Sequence, residues 1–129
     1  MAKEAGEEVE IDTDLVIERA VSIGYLFQMT YNPDMTCMKQ SLYHALDMQV
    51  DWETFVPWPT DGEVSVFKLC YANQLKYEMR HSDRLCPAMI LVVANFLIRH
   101  GVITSDNEPD YTQIILAMYR ERLVLEYDV

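Results

Sequence analysis

Two short runs of residues carry side chains that could do chemistry, and the first resembles a metal site. His44 and Asp47 lie three residues apart, and Asp51 follows one helical turn later. On a helix this spacing would place an imidazole and two carboxylates, all metal ligands, on one face. Nothing in the sequence marks the further ligand that a closed site needs. We therefore interpret the group as a surface histidine beside acidic residues and predict no metal and no cofactor.

The second run combines an imidazole, a carboxylate and a thiol in His81, Asp83 and Cys86. These are the residue types of a nucleophilic site, but they occupy one short connection, whereas a catalytic base is normally positioned by tertiary structure. A polar loop before a helix explains them better. The chain has only four glycines and no glycine-rich phosphate loop. The sequence therefore predicts that the protein is not an enzyme.

The composition of the chain limits which classes of protein it can belong to. Of the 129 residues, 50% are apolar and 24% are charged, which is typical of one folded domain. The net charge of −11 argues against nucleic acid as a partner, because phosphate binding needs the opposite sign. The three cysteines form no C-x-x-C pair and predict reduced thiols in the cytoplasm. Residues 88–98, an uncharged apolar stretch, are far fewer than the ~20 residues of a membrane span, so no membrane anchor is expected.

Helix signals follow one another along most of the chain. Residues 1–12 are predicted to be a flexible acidic leader, and residues 13–129 a single helical domain. Asp12 or Thr13 is suited to cap a first helix over 13–29, and Asn32-Pro33-Asp34 is typical of a second helix start. A last helix is expected to begin between 106 and 110.

Two consecutive segments, 62–79 and 86–100, are apolar on nearly every side when drawn as helices. Such helices must be surrounded by other elements, so we expect a central hydrophobic helical hairpin inside an all-α bundle. Between the helices, four large side chains crowd a short connector: Trp52, Phe55, Val56 and Trp58. They predict either a lid over the core, which we favour, or the wall of a partner-binding site.

The stretch Asp-Gly-Glu-Val-Ser-Val-Phe-Lys-Leu-Cys at 61–70 resembles the start of the central helix in the Bcl-2 family of apoptosis regulators. Residues 87–100 are similar to that family's next hydrophobic helix. Asp106-Asn107 followed by Tyr111 is similar to its second homology region. The divergence of these motifs suggests a viral homologue.

The resemblance implies an all-α, Bcl-2-like fold and an anti-apoptotic protein that sequesters the amphipathic death-motif helix of pro-apoptotic partners. Separately, the excess of apolar surface without a membrane anchor leads us to expect a homodimer. The expected location is the cytoplasm, which would be the host cell's cytoplasm for a viral protein. A groove-less scaffold of the same fold that blocks an immune or inflammatory signalling adaptor is the alternative function.

The partner groove implied by the resemblance has a wall, a floor and a charged end. Glu63 stands where the family has a groove arginine, and it would either tune charge selectivity or cap the helix. Gly62 would let a ligand backbone approach closely. The remaining residues are Leu46, Val50, Phe55 and Val56 for the wall and Val66, Phe67 and Cys70 for the floor.

Overall fold

The computed structural model describes residues 11–53, 55–60, 62 and 64–127. These residues form four helices and one two-stranded antiparallel sheet. In chain order the elements are α1 (Thr13–Arg19), β1 (Ala20–Tyr31), β2 (Met38–Met48), α2 (Ala72–His81), α3 (Pro87–Arg99) and α4 (Tyr111–Tyr127). The structure is therefore a mixture of α and β elements, and the prediction of an all-α Bcl-2-like bundle is wrong.

The chain divides into two compact units. The first contains the described part of Met1–Gly24 together with His44–Leu69, and the second contains Tyr25–Tyr43 and the described residues from Cys70 onward. Most of the predicted acidic leader, 1–12, lies outside the described residues. The single domain over 13–129 stays a prediction.

The sheet replaces most of the two helices that were predicted before residue 50. In β1 the apolar residues Ile23, Tyr25 and Phe27 recur at every second position. Ala20, Ile23 and Phe27 in the same strand also recur at spacings of three and four, so the periodicity alone did not separate helix from strand. Side chains that are β-branched or aromatic favour a pleated strand, and they decide the outcome here.

The connection between the strands explains why Asn32-Pro33-Asp34 does not start a helix. The Asn32 N–H donates to the Cys37 carbonyl at 3.1 Å, and the Cys37 N–H donates to Asn32 Oδ1 at 2.8 Å. The Thr36 hydroxyl and N–H both donate to Asp34 Oδ1, at 2.7 and 3.1 Å, and these bonds lower the pKa of Asp34. The residues that were expected to cap a helix therefore close a hairpin loop.

The helix ends agree better with the sequence signals. Asp12 Oδ1 accepts the N–H of Asp14 at 3.0 Å, so the predicted cap of the first helix is confirmed, although α1 ends at Arg19 rather than at 29. Pro87 occupies the first turn of α3. At the other end of α3, Gly101 has φ +70° and its N–H donates to the Ile98 carbonyl at 3.1 Å. This is the left-handed ending that the sequence predicts.

Gly101→Ala should destabilise the protein, because only the backbone conformation opposes the change. A Cβ at this position meets no heavy atom within 4 Å, so no steric clash contributes. We expect a loss of about 1–2 kcal/mol in the free energy of unfolding, which is the cost of a left-handed backbone at an alanine. Urea denaturation followed by circular dichroism measures it. Gly101→Asn should lose less, and an equal loss in both variants would contradict the conformational explanation.

The predicted central helical hairpin is only partly present. Helix α2 begins at Ala72, and the described residues of 62–71 form no helix, so Val66 and Leu69 lie exposed instead of in a helical core. β-branched and aromatic side chains at Val64, Val66 and Phe67 lose rotamer freedom in a helix, which weakens helix formation there. Among the residues of the second unit whose burial is described, the buried apolar ones are Ala94, Leu97 and Ile103. Among the described helices, none combines the length and the hydropathy of a membrane span.

Candidate functional site

The connector between β2 and α2 forms the wall of an open cavity in the first unit. Its first part is a single turn, in which the Asp51 carbonyl accepts the N–H of Phe55 at 2.8 Å and Asp51 Oδ1 accepts the N–H of Glu53 at 3.1 Å. Pro57 and Pro59 then prevent helix formation and favour extended backbone at the residues before them. At Gly62, φ is +80°, a value that favours glycine.

The connector has two arms, residues 50–57 and residues 64–69. We call the space between them the connector cavity. Its volume is about 370 Å³, within the range of about 300–1,000 Å³ that is usual for small-molecule sites. Two aromatic rings face it from the first arm and one from the second. The lining residues are Val50, Trp52, Phe55, Val56, Pro57, Phe67, Lys68 and Leu69.

The cavity lining is unusual in how much apolar surface it leaves in contact with water. Trp52 is 65% exposed and Leu69 is 79% exposed. A contiguous apolar patch on an otherwise acidic chain typically marks a binding site. The same exposure corrects our favoured interpretation of the connector, since neither Trp52 nor Trp58 is a lid over the core.

Four of the nine predicted groove residues meet at this cavity: Val50, Phe55, Val56 and Phe67. The other described members of the group do not line it. Leu46 lies on β2, and Val66 and Cys70 are exposed on the second arm and just beyond it. Gly62 is at the turn, and Glu63 lies outside the described residues. The binding role of all nine stays a prediction.

The two runs of reactive side chains that the sequence analysis singled out do not form sites. His44 and Asp47 lie on strand β2, where residues three apart point to opposite faces, and His44 Nε2 lies 2.8 Å from the Ser22 hydroxyl. No hydrogen bond among the described residues joins His81, Asp83 and Cys86, and the His81 ring instead stacks on Tyr77, with centroids 4.3 Å apart. The described residues contain no group of three potential metal ligands.

In the second unit, Glu108 is a buried carboxylate that the sequence reasoning missed. Its carboxylate accepts from Arg80, lies 3.7 Å from Lys76 Nζ and accepts the Asp110 N–H at 3.4 Å. Arg80 also pairs with Asp110 at 3.6 Å. The charges cancel and every buried side-chain polar atom among the described residues has a partner, so this cluster holds α2 to the loop after α3. Nothing in the local sequence marks this carboxylate, because both of its cationic partners lie on a different element.

The pKa of Glu108 results from opposing effects. Burial would raise it, because desolvation penalises the charged form. The Asp110 N–H and the positive charges of Arg80 and Lys76 outweigh burial together and hold the pKa below its ordinary value. The group is therefore ionised and paired at neutral pH.

Comparison with known proteins finds similarity to one uncharacterized protein and to two proteins named hydrolases. No protein-family profile matches the chain. It is 29% identical over 127 residues to an uncharacterized protein of Saccharomyces cerevisiae, which covers 92% of this chain and 36% of that protein. It is 29% identical to Nudix hydrolase 24, chloroplastic, from Arabidopsis thaliana, over 88% of this chain and 30% of the relative. Nudix hydrolase 20, chloroplastic, from the same plant is 30% identical over 83% of this chain and 28% of the relative.

Both relatives with a functional name are hydrolases. These similarities overturn the resemblance to the Bcl-2 family, and with it the anti-apoptotic function, the alternative of a signalling-adaptor scaffold and the viral origin. They equally contradict the prediction that the protein is not an enzyme. The chain spans about a third of the length of the curated relatives it matches.

Proposed function

We propose that this chain is part of a hydrolase and that the connector cavity holds the apolar portion of its substrate. The observation that carries the proposal is the similarity, over 83–88% of the chain, to two proteins named Nudix hydrolases. The cavity supports it by offering a site of suitable size in the first unit.

The lining of the cavity favours substrate binding over bond cleavage. Lys68 is its one titratable side chain among the described residues, whereas activation of water requires a base within about 2.6–3.2 Å of the proton to be removed. Apolar contacts far from the reacting bond still assist the reaction when they orient the substrate. Phe55, which is half-buried at the base of the turn, is the residue best placed for this.

Hydrolysis should be measured with a readout that does not depend on the substrate. Hydrolysis of carboxylic esters, phosphodiesters and diphosphates releases a proton at mildly alkaline pH, so titration at constant pH detects all three in the purified chain. We expect at least one class to be hydrolysed above the uncatalysed rate. Failure with every class would contradict the hydrolase proposal.

Phe55→Ala tests the role of the cavity in the same assay. Because the ring is expected to bind substrate and not to react, KM should rise about 5- to 30-fold while kcat changes less than about twofold. Tyr71→Ala removes an exposed ring that does not line the cavity and should leave both constants unchanged. An unchanged KM in Phe55→Ala would mean that the substrate binds elsewhere.

Two further predictions stay proposals. The homodimer stays a proposal, supported by exposed apolar side chains such as Leu69 and Val56. The cytoplasm likewise stays a proposed location, while the two plant relatives are named chloroplastic.

A further inference from the structure

Lys68 is the one charged side chain among the described residues that line the connector cavity, and its position indicates which ligands the cavity favours. Lys68 lies between Phe67 and Leu69, and all three residues line the cavity. The hydrocarbon part of a lysine side chain is able to cover apolar surface while its ammonium stays in water. An exposed lysine in this lining therefore adds apolar area within the cavity and a positive charge at its opening.

In the described part of the chain, no ion pair compensates the charge of Lys68. The ion pairs found among the described residues join Lys76 and Arg80 to Glu108 and Arg80 to Asp110, and none of them involves Lys68. The described residues that line the cavity include no carboxylate. This is notable in a chain with a net charge of −11, where most exposed cations would be expected near an acidic side chain.

We infer that Lys68 makes the connector cavity selective for aromatic anions, with the ring between the Trp52, Phe55 and Phe67 side chains and the negative group at the ammonium. The inference rests on the proposed function, because it names the chemical class of the group that the cavity would bind. An aromatic ring matches the lining in shape and polarity. A negative substituent gains the attraction of Lys68, while the rest of this acidic protein repels it.

Two fluorescent probes with the same rings separate the contribution of the aromatic rings from that of the negative charge. The probe 8-anilinonaphthalene-1-sulfonate carries a sulfonate, and N-phenyl-1-naphthylamine is its neutral counterpart. Fluorescence titration of the folded chain should give tighter binding of the sulfonate. High salt should reduce this preference, because an exposed charge is screened.

Lys68→Met keeps an unbranched side chain and removes the charge. We expect it to weaken binding of the sulfonate about three- to fivefold, the effect of one exposed charge pair, and to change binding of the neutral probe by less than about twofold. The control is Lys39→Met, which makes the same change in net charge at an exposed position on β2 that does not line the cavity. It should leave both probes unaffected.

A second variant tests whether the two probes bind in the connector cavity. Trp52→Ala should weaken both of them alike, since it removes a ring and no charge. If Trp52→Ala binds both probes as the wild type does, they bind elsewhere and the inference is overturned. Equal affinity of the wild type for the two probes, or equal effects of Lys68→Met and Lys39→Met, would also overturn it.

These binding measurements need no turnover, so a negative result would contradict the aromatic-anion inference without contradicting the hydrolase proposal. Selective binding without hydrolysis would leave the cavity as an aromatic-anion site and remove the proposed reaction. Hydrolysis with a KM that responds to Phe55→Ala, but without charge selectivity, would retain the reaction and remove the role of Lys68.

Discussion

Leu97→Ala should lower the free energy of unfolding by about 2–5 kcal/mol, the range for removing a buried leucine side chain. Leu97 is 0% exposed, and its carbonyl accepts the Val102 N–H at 2.9 Å and the Ile103 N–H at 3.2 Å. The side chain therefore lies in the core of the second unit, next to the turn that ends α3. Truncation leaves a cavity that the surrounding residues fill only partly. Urea denaturation followed by circular dichroism measures the loss.

The matched control is Leu116→Ala on α4. This leucine is 61% exposed, and the same truncation there should change the free energy of unfolding by no more than about 0.5 kcal/mol. Similar losses in the two variants would show that Leu97 is not the centre of the core.

Glu108→Gln should lower the thermal unfolding midpoint by roughly 5 °C or more at neutral pH. Glutamine keeps the size of the side chain and can still accept the Asp110 N–H, but it removes the charge that Arg80 and Lys76 share. Thermal unfolding followed by circular dichroism gives the midpoint. Asp106→Asn removes an exposed carboxylate from the same loop and should leave the midpoint nearly unchanged.

The effect of Glu108→Gln should also depend on pH in a defined direction. Since the pKa of folded Glu108 lies below the ordinary glutamate value of 4.5, the carboxylate contributes its full stability above pH 4.5. That contribution decreases as the pH falls below 4.5 and is lost once the pH passes the folded pKa. The difference between wild type and variant should therefore shrink from about pH 7 to about pH 3. A constant difference would contradict the paired carboxylate.

What the sequence predicted correctly was local. The cap at Asp12, the proline in the first turn of α3 and the left-handed Gly101 each depend on a few neighbouring residues, and all three are present. The choice between helix and strand over 20–48 failed because the apolar residues there fit both periods. Side-chain type, with β-branched and aromatic residues at alternate positions, was the usable signal.

The candidate site was predictable only in part. The aromatic residues crowded at 52–58 mark the connector, and Trp52 and Phe55 line the cavity together with Val50 and Phe67, while their binding role stays a prediction. Lys68 was passed over because its significance depends on which described residues surround it in the folded chain. Glu108 was missed for a related reason, since its partners are 28 and more residues away in sequence.

The hairpin of β1 and β2 has a consequence for handling the protein. In the part of the chain that the structure describes, the sheet contains only these two strands, so each has an outer edge with backbone groups able to pair with a further strand. A large negative charge keeps neighbouring molecules apart at neutral pH. That repulsion vanishes near the isoelectric point of about 4.5, and there edge-to-edge association between copies meets the least electrostatic resistance.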